Sequence, residues 1–352
     1  MARAILKNLA IESVSAYLPE TRLDLRALGG GNAEAEKIIR ATGIEQVRVA
    51  AKTQTAADLC LAAARPLLAG AETPREEIDG VIFVSQTPDY LMPETAFVIQ
   101  AKLGLSETTL CRDIRIGCSG YIHGLFQAAL WISCGACRRV LLLAGDTSTR
   151  LANPRDRALR MVFGDAGTAT LVSAGKFDAA FAFRSDGNGA RKLFVPAGGF
   201  RLPHSEETAK ISVDEDGNAR SANDLFMDGM EIFRFSLACV PANIRETLAL
   251  AGWEKDDVGL FALHQANAFI VDAVRKNLRV SAERVPVNVR GVGNTGPASV
   301  PLLLSMLFGE KSGRTRPELK RALLCGFGIG LSWGCAATEA LSETRFFSPE
   351  NL

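Results

Sequence analysis

The sequence predicts an α/β protein built from two similar layered halves, and three observations carry that prediction. The first is a faint internal repeat. GVIFVSQ at 80–86 recurs as GLFALHQ at 259–265, GCSG at 117–120 as GNTG at 293–296, and RVLLLAG at 139–145 as RALLCG at 321–326. The matches keep their order, at offsets of 179, 176 and 181 to 182 residues. The second is that continuous apolar runs such as Val140 to Ala144 alternate with helical patterns such as Ala56 to Leu68. Strands buried on both faces between helices read this way. The third is a break in composition: residues 185–224 are polar, Gly-rich and weakly periodic, which predicts an inserted hairpin or loop region over the surface. A split near residue 175 then divides the chain into halves at 1–175 and 176–352.

The elements follow in order. An acidic stretch, Glu76 to Asp79, precedes the first repeated strand, and Asp256 and Asp257 precede its counterpart. A strand-like segment, Asp113 to Ile116, leads to Cys118, and an apolar helix from Tyr121 to Cys134 follows. In the second half the matching helix runs from Pro297 to Phe308.

Composition narrows the class. At 352 residues the chain is long enough for about two domains of roughly 150 residues each. Hydrophobic residues at 47%, charged residues at 22% and a mean hydropathy of +0.11 describe a compact globular protein. Forty Lys and Arg against 39 Asp and Glu leave a formal charge of +1, which argues against a nucleic-acid binder that works by a basic field. No apolar run reaches the roughly 18 residues of a membrane span, and Glu12 and Ser13 interrupt the N-terminal apolar stretch where a signal peptide would need continuity. Eight Cys are too dilute for a disulfide scaffold, so free thiols in a reducing cytoplasm are expected.

Three residues stand out for chemistry. Cys118 lies in Ile116-Gly117-Cys118-Ser119-Gly120, between strand-like and helical segments. A cysteine at a helix N-terminus meets the dipole's positive end and unpaired N–H groups, and both favour the nucleophilic thiolate. Its flanking glycines permit a tight turn and a close substrate. The ordinary alternative is a small buried hydrophobe. His264 ends the apolar run Leu260 to Leu263, where an imidazole facing a cleft acts as acid, base or donor. A packed structural His is the alternative. His123 reads as packed inside the helix after Cys118, and His204 as solvated in the polar insertion. Asn294 takes, in the second half, the place of Cys118 in the first, and His264 takes that of Ser85. If the halves pack as a pseudo-dimer, these distant residues converge. The alternative for Asn294 is a turn residue in its Gly-rich loop.

Two further motifs are weaker. Cys134-Gly135-Ala136-Cys137 is a CxxC, but no second pair or His cluster stands at ligand spacing, so no metal site is expected. Gly326-Phe327-Gly328-Ile329-Gly330 lacks the Lys-Ser/Thr of a phosphate loop and fits better as a tight loop supplying a backbone N–H.

As a set, GCSGY at 117–121, RALRMVFGDAGTATLV at 157–172, ALHQAN at 262–267, GNTGPASVP at 293–301 and GFGIGLSWG at 326–334 resemble the thiolase superfamily, most closely its β-ketoacyl-acyl-carrier-protein synthase III branch. The resemblance covers about residues 8 to 340. It implies a five-layer αβαβα fold of two halves, a homodimer, and a Cys118, His264 and Asn294 triad. It implies that Cys118 takes an acyl group from an acyl-CoA or acyl-carrier thioester, and that His264 and Asn294 stabilise the enolate formed as a malonyl thioester loses CO2. The backbone N–H groups of Cys118 and Ile329 would hold the second oxyanion. No cofactor is implied; coenzyme A enters as substrate thioester, and acyl carrier protein is the expected partner.

The resemblance also exposes departures. The family's adenine-stacking Trp aligns with Lys37, its Arg partner is present as Arg157, and a pantetheine-channel Asn aligns with Met230. Asn267, in ALHQAN, is the further substrate contact it implies. The basic carrier-docking residue aligns with Phe269, leaving Arg275 and Lys276 to supply charge. The middle Gly of the Gly-rich loop is Ile329. A kept core with changed recognition surfaces points equally to fatty-acid initiation and to a specialised pathway. The alternatives are an acyltransferase making an ester or amide without decarboxylation, and a non-catalytic subunit of a heterodimer.

Overall fold

Unbroken apolar runs become the strands of the main sheet: β1 (Ala2–Tyr17), β2 (Gly80–Val84), β3 (Leu110–Ile114), β4 (Arg139–Asp146), β5 (Ala166–Ala174), β6 (Phe177–Ser185), β7 (Leu260–Leu263), β8 (Ala322–Gly328), β9 (Ser332–Thr338) and β10 (Arg345–Phe346). The computed structural model describes residues 2–28, 30, 33–70, 74–312 and 317–352. Every residue of β2 and β7 is buried, as expected of strands covered on both faces.

The strand order is β3-β2-β4-β5-β1 on one side and β7-β8-β9-β6-β1 on the other. Counted in chain order within each half, this is 3-2-4-5-1 against 2-4-5-1. The directions match too. β2 pairs parallel with β4 as β7 does with β8, while β5 and β9 run antiparallel to both neighbours. The third strand has no counterpart. The 176-residue offset puts it at 286–290, where Pro286 has no N–H to donate to a ladder. The Gln265 side chain ties this segment instead. Its Nε2 donates to the carbonyls of Leu263 (2.8 Å) and Pro286 (3.3 Å), and its Oε1 accepts from the Asn288 N–H (3.0 Å).

β1 belongs to both sides. Its first residues pair with β6, and Leu9 to Tyr17 pair with β5. The change of partner falls at Asn8, whose φ is 60° and whose carbonyl accepts from Gly175 N–H at 2.8 Å. β10 returns from the far end of the chain to pair with β1 at Ser13 and Val14.

The helices complete the layers: α1 (Ala56–Gly70), α2 (Thr95–Leu103), α3 (Gly120–Ser133), α4 (Gly229–Ala251), α5 (Ala268–Leu278) and α6 (Ser299–Phe308). α3 and α6 form the middle layer. α3 touches β1 and β4 on one side and β8 and β9 on the other, and α6 touches β1 and β5 as well as β7 and β8. α6 is apolar nearly all round because both sides are covered. α1 packs on β1, β4 and β5, and α2 on β2 and β3. α4 covers β6, β8 and β9, with α5 beside it. This is the five-layer αβαβα arrangement.

Some boundaries differ from expectation. β3 ends at Ile114, because Ile116 N–H turns back to the Ile114 carbonyl at 3.0 Å and the chain leaves the sheet before Cys118. Pro297 lies in a 3-10 turn, Gly296–Ala298, that leads into α6. The 185–224 region forms only two-residue ladders, yet it is not purely superficial: Leu193 and Ala219 are buried. Among the described residues no helix is long and apolar enough to cross a membrane.

Phe308 is fully enclosed at the end of α6, 5.5 Å from the ring of Phe346. Phe308→Ala is expected to cost about 3–5 kcal/mol. Because α6 packs on both sides of the fold, calorimetry should show one transition moved down, with no separate melting of a half.

Candidate active site

The repeat brings the candidate residues together. β2 and β7 occupy matching positions, and the residues just beyond them are Ser85 and His264. Cys118 and Asn294 precede α3 and α6 in the middle layer. Cys118, His264 and Asn294 therefore line one cavity of about 80 Å³, walled further by Val162, Phe163, Leu193 and Phe327. All three are buried.

His264 is held from both ends. Its backbone N–H donates to the Cys325 carbonyl at 2.7 Å, and its Nδ1 is 2.6 Å from Ser299 Oγ. That pairing reserves Nε2 for the cavity. When the Ser299 hydroxyl donates to Nδ1, Nε2 carries the hydrogen and is a donor. Burial pulls the imidazole down to about 3, so it is neutral at ordinary pH. Its ring stands edge-on to Phe327, 5.4 Å between centroids. Sequence reasoning missed Ser299; the signal available was its place in GNTGPASVP.

Asn294 is oriented by its own loop. Its Oδ1 accepts from Gly296 N–H at 3.0 Å, which leaves the Nδ2 group as donor. Its backbone is stitched to the first half: Asn294 N–H donates to the Val162 carbonyl at 2.8 Å, and Gly164 N–H to the Asn294 carbonyl at 2.9 Å. At the position that mirrors His264, Ser85 Oγ donates to Asp146 Oδ1 at 2.8 Å. Burial pushes Asp146 up to about 6, against donors from Ser85, Gln86 and Thr87.

At Cys118 the helix-start features that favour a thiolate are outweighed by burial. Burial pushes its thiol up to about 12, and the nearby Asp146 carboxylate adds to the rise. The backbone N–H groups of Ile329 and Cys118 pull the other way, but desolvation dominates. The Ile329 loop is anchored by a short chain: Ser119 Oγ donates to Ser332 Oγ (2.6 Å), which donates to the Ile329 carbonyl (2.9 Å). Ile329 fits because residue 117 is Gly; a Cβ there would lie 2.9 Å from Ile329 Cγ2 and 2.3 Å from Gln86 Oε1. Gly328 is equally constrained, since a Cβ would lie 2.7 Å from Cys118 Cβ and 3.0 Å from Sγ.

The remaining expected residues scatter. Asn267 lines the cavity, and its Oδ1 caps α5 by accepting from Ile270 N–H at 2.8 Å. Met230 does not line it: the side chain is 61% exposed on the first turn of α4, and Met227 and Gly229 form the wall instead. Arg157 is exposed at the start of the short helix Arg157–Arg160 that precedes Val162 and Phe163, and Lys37 is exposed on the helix Ala33–Thr42. Arg275 is committed within α5, to Asp272 at 2.7 Å and to the Val280 carbonyl at 2.9 Å, while Lys276 is exposed and pairs with Asp272. Phe269 is exposed and stacks on Phe233 at 5.1 Å. Cys134 is exposed and Cys137 buried, the latter donating to the Asp79 carbonyl at 3.5 Å. Among the described residues no group of three or more His, Cys, Asp or Glu is placed to hold a metal ion.

Two α/β halves stacked on a shared helix layer, with a thiol, an imidazole and a carboxamide meeting between them, define a protein of the thiolase superfamily. Comparison with known proteins narrows this. Residues 112–187 match the family model for 3-oxoacyl-[acyl-carrier-protein] synthase III, and residues 248–340 match the model for that family's C-terminal region. A β-ketoacyl-[acyl-carrier-protein] synthase III of Rhodopirellula baltica is 34% identical over 94% of this chain and 98% of its own length. The solved 3-oxoacyl-(acyl-carrier protein) synthase of Burkholderia xenovorans is 38% identical, covers 99% of this chain and 98% of its own, and superposes with a TM-score of 0.90. A priming β-ketosynthase of a polyketide biosynthetic pathway is 28% identical, covering 94% of this chain and 96% of its own, with a TM-score of 0.79. The chain belongs to the 3-oxoacyl-[acyl-carrier-protein] synthase III family.

Alkylation of Cys118 by iodoacetamide in the free protein is expected to climb through about pH 10 without a plateau, because only thiolate reacts and the thiol is held high. Peptide mass mapping reads the rate; a plateau near neutrality would mean a resting thiolate. Gly328→Ala is expected to abolish alkylation at this position by covering the sulfur.

Proposed function

We propose that Cys118 takes an acyl group from an acyl thioester and passes it to the carbon of a malonyl thioester with loss of CO2. The observation that carries this reading is the meeting of Cys118, His264 and Asn294 in one buried cavity. In the loading step the sulfur attacks the acyl carbonyl, the carrier's C–S bond breaks, and the departing thiolate takes the proton Cys118 gives up. The oxyanion sits between the N–H groups of Cys118 and Ile329. In the second step CO2 leaves the malonyl group, and the enolate oxygen accepts hydrogen bonds from His264 Nε2 and Asn294 Nδ2. The low pKa of His264 suits that task, since a neutral imidazole stays a donor across the working range. The enolate carbon then attacks the acyl carbonyl, and Cys118 leaves and regains a proton. Family membership supports the same chemistry, and the reading calls for no resident cofactor.

The substrates and partners in this reading are an acyl-CoA or acyl-carrier thioester, a malonyl thioester and an acyl carrier protein. Arg157, Asn267 and Lys37 are the candidates for substrate contact, and Lys276 for carrier docking. A homodimer is supported by exposed apolar residues on and around the edge strand. β3 is the end strand, and Leu110, Phe97, Tyr90, Leu91 and Met92 are all exposed near it in sequence. Eight free cysteines support a reducing, cytoplasmic setting.

Intact mass after incubation with a panel of acyl-CoA and acyl-carrier donors tests the reading. Acyl mass on Cys118, absent in Cys118→Ala, is the expected result. His264→Ala and Asn294→Ala should still acquire the acyl group but lose condensation by about 100-fold or more each. Absence of any adduct across the panel would sink the proposal.

A further inference from the structure

A second cavity, of about 350 Å³, lies behind Phe163, which is a wall of both it and the reaction cavity. Leu23, Val47, Val49 and Leu159 make much of it apolar. The rest of its wall carries three cations, Lys52, Arg150 and Arg160, and no carboxylate. None of the three forms an ion pair among the described residues. Other cations of the chain are paired, as in Arg139 with Glu12 and Glu77, or Lys192 with Asp228. Asp165 feels the charge of Arg150, but its oxygens are taken by the N–H groups of Ala50 and Thr149 and by Thr149 Oγ1.

The guanidinium groups are also fixed in place. Arg150 Nη2 donates to the carbonyls of Ala51 (2.7 Å), Lys52 (3.1 Å) and Gln54 (2.6 Å), while its Nε and Nη1 have no partner among the described residues. Arg160 is tethered through Nη1 to the Pro154 carbonyl at 3.1 Å. Lys52 and Arg150 are exposed and Arg160 half-buried, so the three like charges stand at the solvent side of the hollow and attract an anion together. Hydrogen bonds to carbonyls hold Arg150 and Arg160 there without neutralising either.

We propose that this cavity binds an apolar chain ending in an anionic group, with the apolar part toward Phe163 and the anion among Lys52, Arg150 and Arg160. Two sources share that chemistry. One is the far end of an acyl group carried on Cys118 and reaching past Phe163, which rests on the function proposed above. The other is a free fatty carboxylate entering from solvent, which does not. Either occupant presses on Phe163, whose backbone bridges to Asn294, so either is felt in the reaction cavity.

Two measurements on the full chain separate these sources. Decanoate is titrated calorimetrically into the Cys118→Ala protein, where nothing loads covalently. Hexanoyl-CoA and adipoyl-CoA, which differ by a terminal carboxylate, are compared as donors to Cys118 by intact mass. Decanoate binding that weakens about tenfold or more in Lys52→Glu/Arg160→Glu supports the site and assigns the free carboxylate. Faster loading from adipoyl-CoA than from hexanoyl-CoA, reversed in the same variant, supports the site and assigns the acyl end. The milder Lys52→Gln/Arg160→Gln pair should fall between, which guards against a folding defect.

A protein that loads hexanoyl on Cys118 but neither binds decanoate nor prefers adipoyl overturns this proposal and leaves the condensing reading standing. Decanoate binding that the charge variants leave unchanged, with no adipoyl preference, overturns it too. Charge-sensitive decanoate binding in a protein that no donor loads keeps the site and overturns the condensing reading. Failure of binding and of all loading overturns both.

Discussion

The pairing of one strand with two partners governs this molecule. β1 is hydrogen-bonded to β6 through its first residues and to β5 through the rest, with the change at Asn8. A strand's register decides which face each side chain takes, so a shared strand couples the registers of both sheets. The sheets then share one helix layer, and two helix starts and two strand ends meet near its centre. Cys118, Asn294 and His264 owe their proximity to this, because no local contact joins residues so far apart in sequence. The backbone bridge between Phe163 and Asn294 locks the arrangement where it matters for chemistry.

Dryness sets the character of the site. A thiol and an imidazole that are both buried favour their neutral forms, since neither ion is adequately solvated. What the protein supplies in place of water is oriented N–H: the Asn294 amide held by Gly296, and His264 Nε2, which carries the hydrogen when the Ser299 hydroxyl donates to Nδ1. Donors fixed before reaction need no rearrangement when negative charge develops. At the position mirroring His264 the first half holds Ser85 against Asp146, so equivalent places in the repeat carry different chemistry.

Departures from the family pattern are absorbed unevenly. Ile329 is accommodated by the absence of a side chain at Gly117, with Gln86 packed into the same space. Met227 and Gly229 line the cavity while Met230 faces solvent, and Phe269 stacks on Phe233 where the family carries a basic residue. Arg275 is drawn into its own helix by Asp272 and Val280, which leaves Lys276 as the accessible charge.

The layered α/β class, the repeat, and the identities of Cys118, His264 and Asn294 were legible in sequence. Each rests on pattern along the chain: apolar runs too long to be half-exposed, glycines at forced turns, and motifs repeated at offsets of 176 to 182 residues. Element edges were less legible, because a hydrogen bond such as that from Ile116 to Ile114 ends β3 without any change in residue type. The burial of Cys118 was not legible, since a helix dipole is a local property while desolvation depends on everything packed around the sulfur. Ser299, Met227 and the cavity behind Phe163 were invisible for the same reason, each being defined by segments that meet only when the chain is folded. Sequence by itself determined the residue types available for chemistry and the order of the layers. Tertiary structure decided which of those residues face one another and which are cut off from water, because proximity and solvation depend on the whole fold.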